Sequence, residues 1–109
     1  MPPKKLTTSI LTQGGVTFDF NADKNELLLT TRGVTFQDVI EAIAEKGILL
    51  NFNHPDQLNY AGQQIIVVDI DGYAYCVPYV IEGDTWFLKT VYPSRNFKYL
   101  IEGDPHETI

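Results

Sequence analysis

A cluster of cationic and hydroxyl side chains lies near the end of the chain, in residues 85–101, where no carboxylate occurs. Its cations are Lys89, Arg95 and Lys98, and its candidate functional residues are Lys89, Tyr92, Ser94 and Arg95. The protein as a whole is acidic, because 8 Lys and Arg stand against 14 Asp and Glu, and its net charge is −6. Arginine presents a fork of donors that matches phosphate, whereas lysine acts as a point charge. A cationic segment on an acidic protein therefore indicates a site for a phosphate or a carboxylate.

Lys24 is a further candidate for that site. It falls in the first turn of a predicted helix, where a cation opposes the helix dipole and is a poor choice for stability. An ordinary solvated lysine is an equally good interpretation of Lys24, and Arg95 could instead form an ion pair with Asp69 or Glu102. The functional interpretation requires Lys24 and Arg95, which are distant along the chain, to meet across one shallow pocket.

A polar segment of residues 53–62 is built from turn-forming residues and is long for a loop in so small a domain, which favours a functional role. It contains His54, a candidate acid or base, for which a surface position in a turn is the alternative interpretation. Cys76 is the only cysteine, which excludes an internal disulfide and a cysteine-rich metal site. No glycine-rich phosphate loop occurs, and no acidic residues show metal-ligand spacing with His54, so we predict neither a cofactor nor a metal.

Length and composition indicate one domain. The 109 residues are 44% hydrophobic and 12% aromatic, enough for a single modest core. We predict a flexible arm at 1–15, one domain at 16–101 and an acidic tail at 102–109. No apolar run approaches the roughly 20 residues of a membrane helix, and no signal peptide opens the chain, so a cytoplasmic location is expected.

Hydrophobic periodicity and capping residues place two helices after a first strand. Asn21 is a plausible N-cap for the first helix, which would turn Leu27 and Leu28 inward. Thr35 and Asp38 match a capping box at the start of the second helix. The predicted elements are a strand at 16–20, helices at 22–32 and 35–46, a strand at 48–52, a three-stranded meander and a short helix at 97–101.

Turn signals fix the register of the meander. The Asp-Gly pair at 71–72, between two apolar runs, predicts a hairpin that begins with Ile70 opposite Tyr73. Because proline donates no backbone hydrogen bond, Pro78 implies a bulge or an interrupted ladder. A second hairpin at 83–84 would add Trp86, Leu88 and Tyr92 to the bulky face of the sheet, and Phe87, Lys89 and Val91 to the opposite face.

These elements combine into an α+β fold. We expect two N-terminal helices packed on the bulky face of a mostly antiparallel sheet of four to five strands, with a short C-terminal helix. Tyr73, Tyr75 and Tyr79 fall on that face, where burial against the helices is favoured over a platform for stacking bases.

Three segments together resemble the BrnT-type ribonuclease toxins. Residues 18–24 (FDFNADK) and 32–39 (RGVTFQDV) are similar to the opening of that family, where an aromatic strand end, a lysine-bearing helix and a Gly-Val-Ser/Thr-Phe helix start recur in this order. Residues 89–95 (KTVYPSR) look like the Ser-Arg segment that ends the family's sheet. The matches span residues 16–100.

The resemblance implies a compact RelE-like fold, metal-independent cleavage of RNA, and silencing by a cognate antitoxin in a type II toxin–antitoxin system. Carried over position by position, it places Lys24 and Arg95 at the cationic site, with Ser94 beside Arg95 and with Lys89 and Tyr92 as supports. Relatives carry more basic residues after the arginine than this chain does. The implied partners are RNA and the antitoxin, a DNA-binding repressor; no membrane is implied, and a small oligomer is compatible.

Metal-free RNA cleavage needs a base for the 2′-hydroxyl, a cation for the charge that builds on the phosphate, and an acid for the leaving oxygen. Lys24 and Arg95 suit the second task. The candidates for proton transfer are His54, Tyr92, Tyr99 and a desolvated Lys89. The alternative function is a non-catalytic protein-binding module, or a degenerate toxin that retains only partner binding at its sheet face or edge.

Overall fold

A computed structural model describes residues 11–13 and 15–102. Their fold is α+β, as expected, with one mixed sheet and helical segments on both of its faces. The elements in chain order are β1 (Leu11–Gln13), β2 (Val16–Phe20), α1 (Ala22–Arg32), α2 (Phe36–Lys46), β3 (Leu50–Asn53), β4 (Gln64–Ile70), β5 (Tyr73–Glu82), β6 (Thr85–Leu88), β7 (Tyr92–Pro93), a 3₁₀ helix (Arg95–Phe97) and α3 (Tyr99–Glu102).

The seven strands in the described part of the chain form one sheet. β1, β2, β6, β5, β4 and β3 lie side by side in that order, and β7 follows β6 along the same edge of β5. All pairs are antiparallel except β2 with β6, which run parallel with Phe20 opposite Leu88. The mostly antiparallel sheet is confirmed, although it has more strands than predicted. The parallel pair brings the C-terminal ends of β2 and β6 together.

The boundaries of some predicted segments differ from those observed. Leu11–Gln13, which we assigned to the flexible arm, pair with β2, and three residues are too few to show a strand period. The strand expected at 48–52 is β3, shifted to Leu50–Asn53. Glu102, assigned to the acidic tail, ends α3. The rest of that arm before β1, Gly14 and the rest of the tail lie outside the described residues.

Local capping chemistry defines α1 and α2 as predicted. The Asn21 side chain accepts a hydrogen bond from the Lys24 backbone N–H (2.9 Å). Gly33 ends α1 in the left-handed region at φ 73°, a conformation that glycine adopts without strain. Thr35 and Asp38 exchange hydrogen bonds of 3.1 and 2.9 Å between side chain and backbone, which completes the capping box of α2.

The sheet carries a core on each face. α1 and α2 cover the larger core, in which Leu28 is buried; the prediction that Leu27 also faces inward is wrong, since it is 53% exposed. Successive helical side chains diverge by about 100°, so only one of the two can face the sheet. Tyr79 is buried in this core, Tyr75 is half-buried and Tyr73 is exposed. The 3₁₀ helix and α3 cover the smaller core, which consists of Ile65, Val67, Ala74 and Cys76.

The hairpin of β4 and β5 has the predicted register. Every pair from Ile70 opposite Tyr73 to Ile65 opposite Pro78 is observed. Pro78 interrupts the ladder on its other side, as expected, because it has no N–H to offer to the following strand. Its carbonyl still accepts a hydrogen bond from the Lys89 N–H (2.8 Å), after which the strand leaves the sheet.

The interruption is a bulge of one extra residue. Leu88 of β6 lies opposite Tyr79, and Tyr92 of β7 lies opposite Cys76. Four steps along the chain from β6 to β7 therefore match three steps along β5. One extra residue reverses the alternation of side chains. The prediction that Tyr92 lies on the bulky face and Val91 on the opposite one is therefore wrong: Val91 is buried in the larger core and Tyr92 packs on the smaller.

Candidate functional site

A pocket of about 400 Å³ opens beside this bulge. That volume lies within the range of roughly 300–1,000 Å³ for small-molecule sites. Each polar side chain of its wall can donate a hydrogen bond, and no carboxylate is among the described residues that form it. The lining residues are Lys24, His54, Tyr60, Gln63, Pro78, Lys89, Thr90 and Tyr92. The pocket is therefore suited to an anion.

The parallel strand pair explains why Lys24 and Lys89, far apart in sequence, reach the same pocket. β2 ends at Phe20 and is followed by α1, which carries Lys24 in its first turn. β6 ends at Leu88, directly beside Phe20, and is followed by Lys89. Because both strands run in the same direction, the two cations leave the sheet at the same edge.

A partly buried hydrogen bond holds the bulge. Val91 is fully buried, and its carbonyl accepts a hydrogen bond from Nη1 of Arg32, in the last turn of α1 (2.5 Å). A carbonyl inside the interrupted ladder needs such a partner, since a buried backbone group without one is costly. Arg32 thus stabilises the backbone that positions Lys89 and Thr90.

The two lysines of the pocket have no carboxylate partner in the part of the chain that the structure describes. Lys89 is exposed, and its Nζ lies 5.3 Å from the centre of the Phe87 ring, a cation–π distance. The ion pairs between described residues are Lys46 with Asp69 (3.1 Å) and Lys98 with Glu102 (3.9 Å). Lys24 and Lys89 therefore keep their charge available to a ligand.

Residues 54–63 form a loop that is closed by its own hydrogen bonds. The Gln57 Nε2 donates to the carbonyls of His54 (2.7 Å) and Gln63 (3.1 Å), and its Oε1 accepts from the Gly62 N–H (3.0 Å). The His54 N–H also donates to the Gln63 carbonyl (2.9 Å). These bonds fix both ends of the loop beside the pocket.

Asp56 organises the turn within this loop and fixes the histidine ring. Its carboxylate accepts hydrogen bonds from the side chain and the backbone of Asn59 (2.8 and 3.2 Å), which hold the pKa of Asp56 below its usual value. Its backbone N–H donates to Nδ1 of His54 (3.0 Å). In the neutral imidazole the proton is therefore assigned to Nε2. His54 stacks on Tyr60 with ring centroids 4.3 Å apart and planes 22° apart.

Tyr92 joins the pocket to the smaller core. Burial raises the pKa of its phenol, and neighbouring Cys76 and Tyr60 raise it further. Burial also raises the pKa of the Cys76 thiol, while hydrogen bonds with Ser94 and Tyr92 lower it. Both side chains consequently keep their protons at neutral pH. Tyr92 lines the pocket, and its hydroxyl is hydrogen-bonded with the Cys76 thiol.

Arg95 and Ser94 are not among the residues that line the pocket. The Ser94 N–H donates to the carbonyl of Ala74 (3.0 Å), whereas the Lys89 N–H donates to that of Pro78. The two acceptors are four residues apart on β5, about 13 Å at the rise of a strand. Arg95 is exposed at the start of the 3₁₀ helix.

Neither ion pair suggested for Arg95, with Asp69 or with Glu102, is observed. Asp69, which is 8% exposed, pairs with Lys46, and its other carboxylate oxygen accepts the Gly72 N–H (2.7 Å). Glu102 is the partner of Lys98. Arg95 has no ion pair with any carboxylate among residues 15–102.

The structure thus brings four of the predicted site residues together, and they are Lys24, His54, Lys89 and Tyr92. Tyr99 is exposed on α3 and does not line the pocket. Sequence reasoning missed the contributions of Tyr60, Gln63, Thr90 and Pro78. Two signals pointed towards them, the length of the polar loop and the interruption at the proline.

Two further observations concern metal ions and membranes. Within the described chain, no three His, Cys, Asp or Glu side chains form a group that could hold a metal ion. No helix of this part is long and apolar enough to cross a membrane. Comparison with known proteins found no matching family model, no matching curated protein and no matching solved structure.

Proposed function

We propose that this protein is a metal-independent endoribonuclease with a RelE-like fold that acts as the toxin of a type II toxin–antitoxin pair. The observation that carries the proposal is the pocket in which Lys24 and Lys89 meet His54 and Tyr92. Because the protein has a net charge of −6, a polyanion bound along its open surface would be repelled. Binding of a single anionic group inside the pocket is favoured instead. The resemblance to BrnT-type toxins supports RNA as the source of that anion.

In the proposed reaction the RNA 2′-oxygen attacks the phosphorus and the bond from phosphorus to the 5′-oxygen breaks. Lys24 and Lys89 stabilise the charge on the phosphoryl oxygens, and the Nε2–H of His54 donates a further hydrogen bond. Tyr92 gives its proton to the leaving 5′-oxygen. The proton of the 2′-hydroxyl passes to solvent, because the Asp56 N–H already occupies Nδ1 of His54. The products are a 2′,3′-cyclic phosphate and a 5′-hydroxyl.

The test uses the whole protein and a single-stranded RNA in the presence of a chelator, with the 2′,3′-cyclic phosphate as the readout. Lys89→Ala should lower the cleavage rate about 10²- to 10³-fold, the usual effect of removing one donor to transition-state charge. Lys98→Ala is the matched control, because Lys98 is also exposed but pairs with Glu102 outside the pocket. Expression of the wild type without its antitoxin should arrest growth.

Two outcomes would contradict the proposal. The first is wild-type protein that neither cleaves RNA nor arrests growth. The second is undiminished cleavage by a Lys24→Ala, Lys89→Ala double variant that remains folded, because the pocket would then take no part in the reaction.

A second function, a protein-binding module without catalysis, is favoured by the outer strand of the sheet. Among the described residues β3 pairs only with β4, and Asn51 and Asn53 on it are exposed. Its free edge offers backbone groups to which a partner could add a strand. This function would be supported if the protein bound the product of the neighbouring gene and cleaved no RNA.

A further inference from the structure

We propose that the stacked rings of Tyr60 and His54 receive a nucleobase of single-stranded RNA. The pocket would then bind a whole nucleotide rather than a phosphate alone. This inference rests on the proposed function, since the phosphate of the same nucleotide would be held by Lys24 and Lys89. Tyr60 contacts the base in this arrangement and determines the affinity for it.

Tyr60 remains exposed among the described residues although it stacks on His54. Tyr60 is 45% exposed although His54 covers one side of its ring at 4.3 Å. The other stacked pairs in the described chain are Phe20 with Phe36 and Tyr79 with Trp86, which belong to the larger core. The exposed part of Tyr60 can accept a third ring, and every nucleobase offers a flat π face.

The platform is in place before a ligand arrives. The Tyr60 N–H donates to the Asp56 carbonyl (2.9 Å), and the Tyr60 carbonyl accepts from the Gln63 N–H (3.0 Å). Gln57 closes the loop, and the Asp56 N–H holds the His54 ring through Nδ1. A base that stacks on Tyr60 therefore need not order the loop, and little of its binding free energy is lost in doing so.

Other groups of the pocket match the rest of a nucleotide. The Gln63 side chain has no hydrogen-bond partner among residues 15–102, and its amide can both donate to and accept from a base edge or a ribose hydroxyl. Lys24 and Lys89 supply charge for the phosphate. Both faces of a base within a duplex are covered by its neighbours, so only an unstacked base of a single strand can reach Tyr60.

The test compares two trinucleotides that cannot be cut, because 2′-O-methyl groups replace the attacking hydroxyls. One carries 2-aminopurine at its centre, and the other is abasic there with the same phosphates. Wild-type protein should bind the first about 5- to 100-fold more tightly, as expected for one base–aromatic stack, and should quench its fluorescence. Tyr60→Leu should abolish this difference and retain the affinity for the abasic trinucleotide. Tyr60→Phe should preserve the difference.

The matched control is Tyr73→Leu. Tyr73 is 44% exposed, close to the 45% of Tyr60, but it lies at the start of β5, five residues before Pro78 in the pocket wall. Equal affinity of the wild type for both trinucleotides would overturn the inference, and the exposed ring would then be left to a protein partner. The proposed function would survive that result if Lys24→Ala still weakened both affinities. Binding of neither trinucleotide would overturn the proposed function and the inference with it. The wild-type comparison is decisive even if Tyr60→Leu unfolds.

Discussion

Residues 89–95 join β6 to the 3₁₀ helix and carry a prominent cation at each end, Lys89 and Arg95. The surroundings of these two ends differ. At the bulge end, Lys89 meets Lys24 and His54 in a pocket of about 400 Å³. At the other end, Arg95 is exposed at the start of the 3₁₀ helix and does not line that pocket. The backbone anchors of the two ends are about 13 Å apart along β5.

The difference shows that concavity matters as much as charge. Lys24, Lys89 and His54 line one concavity, and interactions with a phosphate are stronger in a concavity that excludes part of the water than on an open surface. An exposed guanidinium competes with solvent and salt for the same phosphate. If the proposed function holds, the reacting phosphate lies at the bulge end and Arg95 contacts the RNA backbone outside it.

The first prediction tests the difference between the two ends directly, through the rate of RNA cleavage. Lys89→Ala should reduce RNA cleavage about 10²- to 10³-fold, and Arg95→Ala less than about tenfold, because only the first removes a donor from the pocket. The measurement is the initial rate of cyclic phosphate formation in a chelator. The reverse order of effects would move the reaction to the other end and restore Arg95 as the central cation that the family resemblance implies.

The next prediction compares the free energy of unfolding of two arginine variants, one at Arg32, which contacts the bulge, and one at Arg95. Arg32→Ala leaves the buried carbonyl of Val91 without its partner, and an unsatisfied buried acceptor lowers the free energy of unfolding by about 1–3 kcal/mol. Arg95→Ala should change it by less than about 0.5 kcal/mol, as is usual for an exposed residue. Denaturant titration measures both. Equal stabilities of the two variants would show that the bulge does not depend on Arg32.

Local chemistry made part of the bulge end predictable. The turn at 71–72 sets the pairing of β4 and β5 pair by pair, and this pairing carries Pro78 to its observed place. The missing N–H of Pro78 then predicts an interruption. Asn21, through its side-chain cap, likewise fixes the start of α1 and with it the position of Lys24 in the first turn.

The remainder depends on packing between distant segments. No local signal pairs β2 with β6, which are separated by two helices and most of the sheet. The sequence therefore does not reveal that Lys24 and Lys89 share a pocket, and the resemblance implies Arg95 as the main partner of Lys24. The alternation counted from the turn at 83–84 also fails beyond the bulge. Pro78 permits the extra residue, but the burial of Val91 in the larger core decides where the alternation reverses.

A smaller effect tests whether the loop prepares the bulge end for its ligand. Gln57→Ala removes three hydrogen bonds that close residues 54–63, and we expect cleavage to fall about three- to tenfold as His54 loses its fixed position. Hydrogen exchange at the Gly62 amide should accelerate in the same variant. Asn96→Ala supplies the control from the Arg95 end, since Asn96 is exposed. Unchanged exchange together with unchanged cleavage would show that Gln57 does not organise the loop.

The last prediction concerns the pH dependence of stability and Tyr92, which lies between Lys89 and Arg95. Burial raises the pKa of its phenol in the folded protein, so the unfolded chain releases this proton near pH 10 while the folded chain retains it. The free energy of unfolding must therefore fall as the pH rises above 10. Tyr92→Phe removes this contribution, and its stability should decline less steeply than that of the wild type in urea titrations from pH 8 to 11. The Cys76 thiol acts in the same direction from about pH 9, and its pKa depends on the hydrogen bond with Tyr92, so both proteins carry Cys76→Ala in this comparison. Identical slopes would mean that the phenol ionises as readily in the folded chain as in the unfolded one, and Tyr92 would lose its place as the protonated donor of the pocket.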